Sequence, residues 1–438
     1  MCPVPLLDSA VSGLSMLFCM AWHAAKVSAL FGLASVCAAR LASAQIGSDS
    51  THILALVGGR IYGSPDSAPL DDGVVLVRNG LIAAVGRRGT VSIPAGADVL
   101  ECSGAVIVAG FWNSHVHFTE PHWSRADTLP APPLTRHLRE MLTQYGFVRV
   151  LDTGSWLGNT LALRRRIDSG EVAGPAILTT GPGFVPQHGS PFYILPARLP
   201  ELQSPADAKA QVASRLQEGA HAIKVFTGSV ASPTLVVPMP LAVVHAATME
   251  AHRHGRLVLA HPTNNGGLKA ALEGGVDVLA HTTPEGGPWD PRLPERMKRA
   301  HLALIPTLKL WTFELARKGA DPATVQRFLS VAIGQLRAYA ERGGEILFGT
   351  DVGYMTDYDP TDEYLYMQRS GMSFHQILAA LTTAPAKRFG VSGRTTGRLE
   401  RGLEADIVVL EGDPAQDIRA LARVRYALRH GRQVYSRD

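Results

Sequence analysis

The sequence predicts an α/β fold: a (β/α)8 TIM barrel carrying a small composite β-sandwich domain built from both chain ends. Three observations predict it. Eight apolar, β-type runs alternate with helical stretches through the middle of the chain, the pattern of repeated βα units around a parallel sheet. Both ends read instead as short strands broken by Gly-centred turns. Finally, several histidines and one aspartate fall at the ends of the central runs, the barrel face where active sites are placed.

Composition sets the outer bounds. The chain has 438 residues, 46% of them hydrophobic and 18% charged, as in ordinary globular proteins. A net charge of +4 without a dense Lys/Arg stripe argues against nucleic acid as a partner. Residues 1–44 read as a signal peptide: Lys26, an apolar run from Val27 to Ala39, then Ala42-Ser43-Ala44 as the cleavage pattern. Met20 would be an alternative start. The expectation is a secreted or periplasmic protein with no stable membrane insertion after cleavage. Cys2, Cys19 and Cys37 lie in that leader, so Cys102 alone remains, and neither a disulfide nor a thiolate metal site is expected.

The first β-rich part spans residues 50–108. It holds "ILALVGGRIY", "GVVLVRNGLIAAVG" and "VSIPAG", with Asn79-Gly80 as a hairpin signal. The second, residues 393–438, holds "GRLERGLEADIVVLEGDP" and "VRYALRHGRQVYS". Neither end is large enough for its own core, so the two are expected to share one. Residues 109–392 are assigned to the barrel. Its eight runs are "VIVAGFWNSHVHF", "FVRVLDTG", "AILTTGPG", "AIKVFTG", "RLVLAHPT", "VDVLAHTT", "LALIPTL" and "EILFGTDVG", separated by helical segments such as "PADAKAQVASRLQEG". A doubly wound open sheet is disfavoured, because no G-x-G-x-x-G follows the first strand.

Side chains two apart on a strand point the same way, so His115 and His117 can converge on one object. A metal ion suits two neutral imidazoles. Run four carries Lys224, run five His261, run six His281 and run eight Asp351. Six chemistry-bearing residues thus fall on five strands at one face.

This order, His-x-His, Lys, His, His and Asp on runs one, four, five, six and eight, resembles the metal-dependent amidohydrolase superfamily. The likeness extends over nearly everything after the leader and looks nearest to the imidazolonepropionase-like and Xaa-Pro dipeptidase-like branch. It implies two divalent metal ions, with zinc suiting an imidazole-rich set. His115, His117 and Asp351 would hold the more buried ion, His261 and His281 the more exposed one. Lys224 would take up carbon dioxide and bridge both as a carbamate, since an ammonium would repel two cations. Asp351 would serve as general base and then general acid in cleaving an amide bond. The implied substrate is a dipeptide, an N-acyl amino acid or an aryl-amide such as a mycotoxin conjugate.

Two alternatives stay open. One is a mononuclear cyclic-amide hydrolase or deaminase with an unmodified Lys224, which would then pair with Asp351. The other is a binding protein on a catalytically dead fold. His188, in the long loop after run three, is a candidate donor to the substrate carbonyl. His122 and Trp123 are candidates for shaping the pocket, and Tyr354, Tyr358 and Tyr364 for an aromatic rim. His245, His252 and His254 are assigned to structure. The long apolar loop "QHGSPFYILPARLPEL" suggests a lid over a hydrophobic group. Oligomeric state is left open, a homo-oligomer being compatible with the sequence.

Overall fold

The computed structural model describes residues 52–390 and 396–437. The leader read over residues 1–44 and the boundary at 392/393 lie outside the described residues.

Strands from both ends of the chain join in one eight-stranded sheet. Ile53–Ile61 lies near its centre, between Leu70–Arg78 on one side and Ala105–Ala109 on the other, with Asp98–Glu101 also pairing to it. Ile407–Glu411 follows Ala105–Ala109, then Val424–Arg429 and Arg432–Ser436. Leu70–Arg78 pairs onward to Leu81–Arg87 across a two-residue turn, Arg78 opposite Leu81. Asn79 and Gly80 adopt φ of 51° and 79° there, the double left-handed conformation that an Asn-Gly hairpin turn demands.

The antiparallel pair Ala105–Ala109 and Ile407–Glu411 explains why both segments are apolar without alternation. Val106, Val108, Val408 and Leu410 face the barrel's core. Ile107, Ala109, Ile407 and Val409 face a separate core together with Leu56, Val75 and Cys102. Strands buried on both faces have no polar side to show. Arg149 reinforces the junction, donating from Nε to the buried Asp406 carboxylate at 2.5 Å and also pairing with Glu404.

The rest is TIM-barrel-like. Seven parallel strands appear in order: Phe111–Val116, Phe147–Asp152, Ala176–Thr179, Ile223–Phe226, Val258–His261, Val278–Ala280 and Ala303–Ile305. Strands one to three pair in register, as do four to seven. Phe184 closes the gap between the third and fourth strands, exchanging backbone bonds of 2.8 Å with Lys224 and Phe226. Residues 345–351 supply the eighth side. Leu347 donates to Leu304 O at 2.9 Å, Ser114 to Phe348 O at 2.7 Å and Asp351 to His115 O at 2.8 Å. This segment is not a regular strand, although the sequence reads as one. Gly349 and the turn at Asp351 bring the chain so close to strand one that no even ladder forms.

Helices follow the capping chemistry. Ser204 accepts from Asp207 N–H to open Pro205–Gln217, and Asp321 accepts from Thr324 N–H to open Pro322–Ala340. A hairpin of Gly228–Ser232 and Leu235–Pro238 stands in the loop after strand four. No helix among the described residues is long and apolar enough to cross a membrane.

Candidate metal centre

The strand ends deliver their side chains to one cavity of about 450 Å³. His115, His117, Lys224, His261, His281 and Asp351 all line it. His115 and His117 leave strand one on the same face, ring centroids 5.2 Å apart. Asp351 Oδ1 lies 3.3 Å from His115 Nε2 and 2.9 Å from His117 Nε2. His281 bridges onward, its ring centroid 4.7 Å from both His115 and His261.

Small residues make this approach feasible. A Cβ on Gly349 would lie 2.9 Å from the Cβ of His115. Gly353 has φ of 91°, and a side chain there would strike the His117 carbonyl. Between them, the buried Asn113 ties strand one to the eighth segment. Its amide donates to Thr350 Oγ1 at 2.7 Å, while its carbonyl accepts from Thr350 N–H and His115 N–H, each at 3.2 Å. Asp351 and His281 carry positive φ, 66° and 74°, a costly state for such residues that clusters at functional sites.

Burial controls the electrostatics. It pulls the Lys224 amine down to about 7, against the opposing pull of Asp351 and Asp152. His261 falls to about 3 through burial, then Lys224 and His117. His115 and His281 are held well below the usual imidazole range by the same burial and by their charged neighbours. Neutral imidazoles offer lone pairs, which is what ligation needs.

A divalent cation fits the first three residues. Among the described residues, His115, His117 and Asp351 form the group whose ligand atoms lie within 4.8 Å of one another. Asp351 Oδ1 is buried and accepts no hydrogen bond from the protein, an expensive state unless a cation occupies the point it faces. His261 and His281 have no carboxylate of their own. Lys224 lines the same cavity beside them.

Other expectations divide. His188 is exposed and does not line the cavity, and its backbone N–H donates to Glu201 at 3.0 Å. Its φ of 57° turns the chain, so the same loop presents Phe192 and Tyr193 to the cavity instead. The structure thus places His188 in the loop, outside the cavity, rather than beside the candidate ligands. Tyr354 lines the cavity against Tyr193, centroids 5.9 Å apart. Tyr358 bonds Glu120 at 2.5 Å, and Tyr364 is buried in the core on Phe348, so neither forms a rim. His122 stacks on His137 and Trp123 is buried core; neither lines the cavity. His252 pairs with Asp277 and His254 with Glu250, both away from the site, while His245 is exposed.

The sequence reading did not single out Trp311, Phe328 and Leu310, which make the opposite wall apolar. It also passed over Asp152. That buried carboxylate gathers Ser155 Oγ and Thr179 Oγ1, each at 2.6 Å, and so anchors the end of strand two.

The parallel strands bring histidines, a lysine and an aspartate together at one mouth, a possible metal site on a TIM-barrel-like α/β fold. The chain belongs to the amidohydrolase family, whose family model matches residues 106–434, and it is a hydrolase acting on carbon–nitrogen bonds. Ochratoxinase of Aspergillus niger is 24% identical over 400 residues, covering 81% of this chain and 80% of the relative. A solved Xaa-Pro dipeptidase with methionine in its active site superposes with a TM-score of 0.75 at 23% identity, over 88% of this chain and 100% of that one. The solved A. niger ochratoxinase superposes with a TM-score of 0.73 at 21% identity, over 89% and 96%.

Proposed function

We propose that this protein hydrolyses the amide bond of a small molecule bearing a bulky apolar group: a dipeptide, an N-acyl amino acid or an aryl-amide. The observation that carries the reading is the convergence of His115, His117, Lys224, His261, His281 and Asp351 in one cavity whose wall includes Phe192, Tyr193, Trp311 and Phe328. The names of the relatives, an ochratoxinase and a Xaa-Pro dipeptidase, support amide and peptide substrates.

His115, His117 and Asp351 would hold one divalent cation, and His261 and His281 a second. Lys224 would join them as a carbamate, because a second cation beside two neutral imidazoles needs an anionic ligand. Zinc suits the donor set. When bound, such ions supply a nucleophile from water at neutral pH and polarise the scissile carbonyl.

The chain's own groups do the rest. Asp351 takes the proton of the attacking water on its carboxylate and returns it to the leaving nitrogen. The aromatic wall seats the apolar group and excludes bulk water, which strengthens every charge interaction at the reacting centre. A second reading, a mononuclear cyclic-amide hydrolase, is favoured by one observation: His115, His117 and Asp351 alone form a group that could hold one ion. Export through cleavage near Ala44 is proposed from the leader pattern alone, and N-terminal sequencing of the native protein checks it.

The test is a paired measurement. Metal content of the purified enzyme is determined while aromatic N-acyl amino acids, Xaa-Pro dipeptides and cyclic amides are screened for hydrolysis. Close to two ions per chain, with chelation abolishing the cleavage of linear amides, supports the proposal. Full turnover in a metal-free preparation contradicts it.

A further inference from the structure

Thr307 ends the seventh strand and opens the helix Leu308–Arg317. A threonine at this position ordinarily accepts a hydrogen bond from the helix's first turn. Here it makes no such cap. Its Oγ1 lies 2.6 Å from His281 Nδ1 and 2.9 Å from the carbonyl oxygen of Pro306. The capping duty passes to another helix, Thr361–Arg369, where the buried Glu363 carboxylate accepts the N–H of Lys309 at 2.7 Å.

The backbone has been bent to the same end. Thr307 sits at φ 44°, ψ 53°, a left-handed conformation that a β-branched residue adopts only when its surroundings over-determine it. His281 shares the left-handed region, at φ 74°. Both residues are buried, so protein groups must satisfy their polar atoms.

Proton counting then ties the directions of the two bonds together. A hydroxyl has one proton to donate, and a neutral imidazole has one N–H. If Thr307 gives its proton to Pro306 O, it can only accept from His281 Nδ1. We infer that Thr307 is a positioning residue that holds His281 in its Nδ1–H tautomer and leaves the Nε2 lone pair facing the cavity for a cation. Hydrogen-bond partners behind a ligating histidine set its tautomer and basicity in general. Freeing Thr307 from its own helix, with Glu363 standing in, is what makes it available for this role.

The inference rests on the metal reading above, so its test reads the tautomer separately from the metal. Metal-free enzyme labelled with 15N-histidine is compared by NMR as wild type, Thr307→Val and Thr307→Ser, with His281→Gln used to identify the signal. Valine keeps the shape and loses the hydroxyl, whereas serine keeps the hydroxyl. Wild type and Thr307→Ser should show the Nδ1–H tautomer of His281. Thr307→Val should show a tautomer mixture and bind zinc roughly 10- to 100-fold more weakly in chelator competition.

An Nε2–H tautomer in the wild type would overturn the inference. So would a valine variant with wild-type tautomer and zinc affinity, or a serine variant as impaired as valine. Wild-type enzyme that binds no zinc would overturn the metal reading instead, and the tautomer would still decide the role of Thr307.

Discussion

Asp351 Oδ1 lies 2.9 Å from His117 Nε2, yet the buried oxygen accepts no hydrogen bond. Both atoms border the cavity, where a cation would satisfy the two together. The same carboxylate lines the cavity, and the proposed function gives it two duties, ligation and proton transfer.

Asp351→Asn separates those duties. The amide keeps the shape and can still ligate weakly, but it cannot carry a proton at neutral pH. Turnover should fall about 10²–10⁴-fold, mainly in kcat. Metal analysis of the same sample is needed, because a loss of kcat with metal retained identifies proton transfer as the missing step. Unchanged kcat would remove Asp351 from the chemistry.

The proposed preference for bulky substrates rests on the apolar wall. Phe328 belongs to the helix Pro322–Ala340, and its ring lies 5.7 Å from that of Trp311. It touches none of the proposed ligands. Replacing it with alanine removes apolar contact worth about 1.5–3 kcal/mol if a substrate fully covers the ring. The kcat/KM for an aromatic N-acyl amino acid should fall roughly 10- to 100-fold, with an N-formyl substrate nearly unaffected. Equal losses for both would place the bulky group elsewhere.

A pH-dependent stability should trace to Glu363. Burial lifts its carboxyl to about 7 from an ordinary value of 4.5. Between those pH values the folded protein holds a proton that the unfolded chain has released. The corresponding stability is present below 4.5 and is lost as pH rises through 7, at about 1.4 kcal/mol per unit of difference. Glu363→Gln removes this loss. Its Tm relative to wild type should therefore rise between pH 5 and pH 8 in a thermal-shift series. A constant difference across that range would show that Glu363 ionises normally.

Much of the site is legible in the sequence, for a physical reason. Strand periodicity fixes which side His115 and His117 share, and the βα alternation fixes that run ends meet at one face. His261, His281 and Lys224 follow from the same two rules. What the rules miss depends on tertiary proximity. Tyr354, Tyr358 and Tyr364 all follow Asp351 closely, but the helix Thr361–Arg369 carries Tyr364 back into the core. His188 and Tyr193 share one loop, and only the backbone turn decides which of them enters the cavity. Thr307 gives no signal at all, because its role is defined by a hydroxyl meeting an imidazole from a different strand. The irregular eighth segment is hidden likewise, since its apolar run scores as a strand while Gly349 and Asp351 bend it.

Lys224 provides the most direct test of the central claim, a two-cation centre bridged by a carbamate. The side chain is buried within strand four and lines the cavity. Metal content and turnover are measured together on Lys224→Ala, with circular dichroism to verify folding. The account expects a folded protein that has lost at least one cation and most of its activity, partly restored by acetate or propionate occupying the vacated space. A folded Lys224→Ala enzyme with wild-type metal content and wild-type turnover would contradict it.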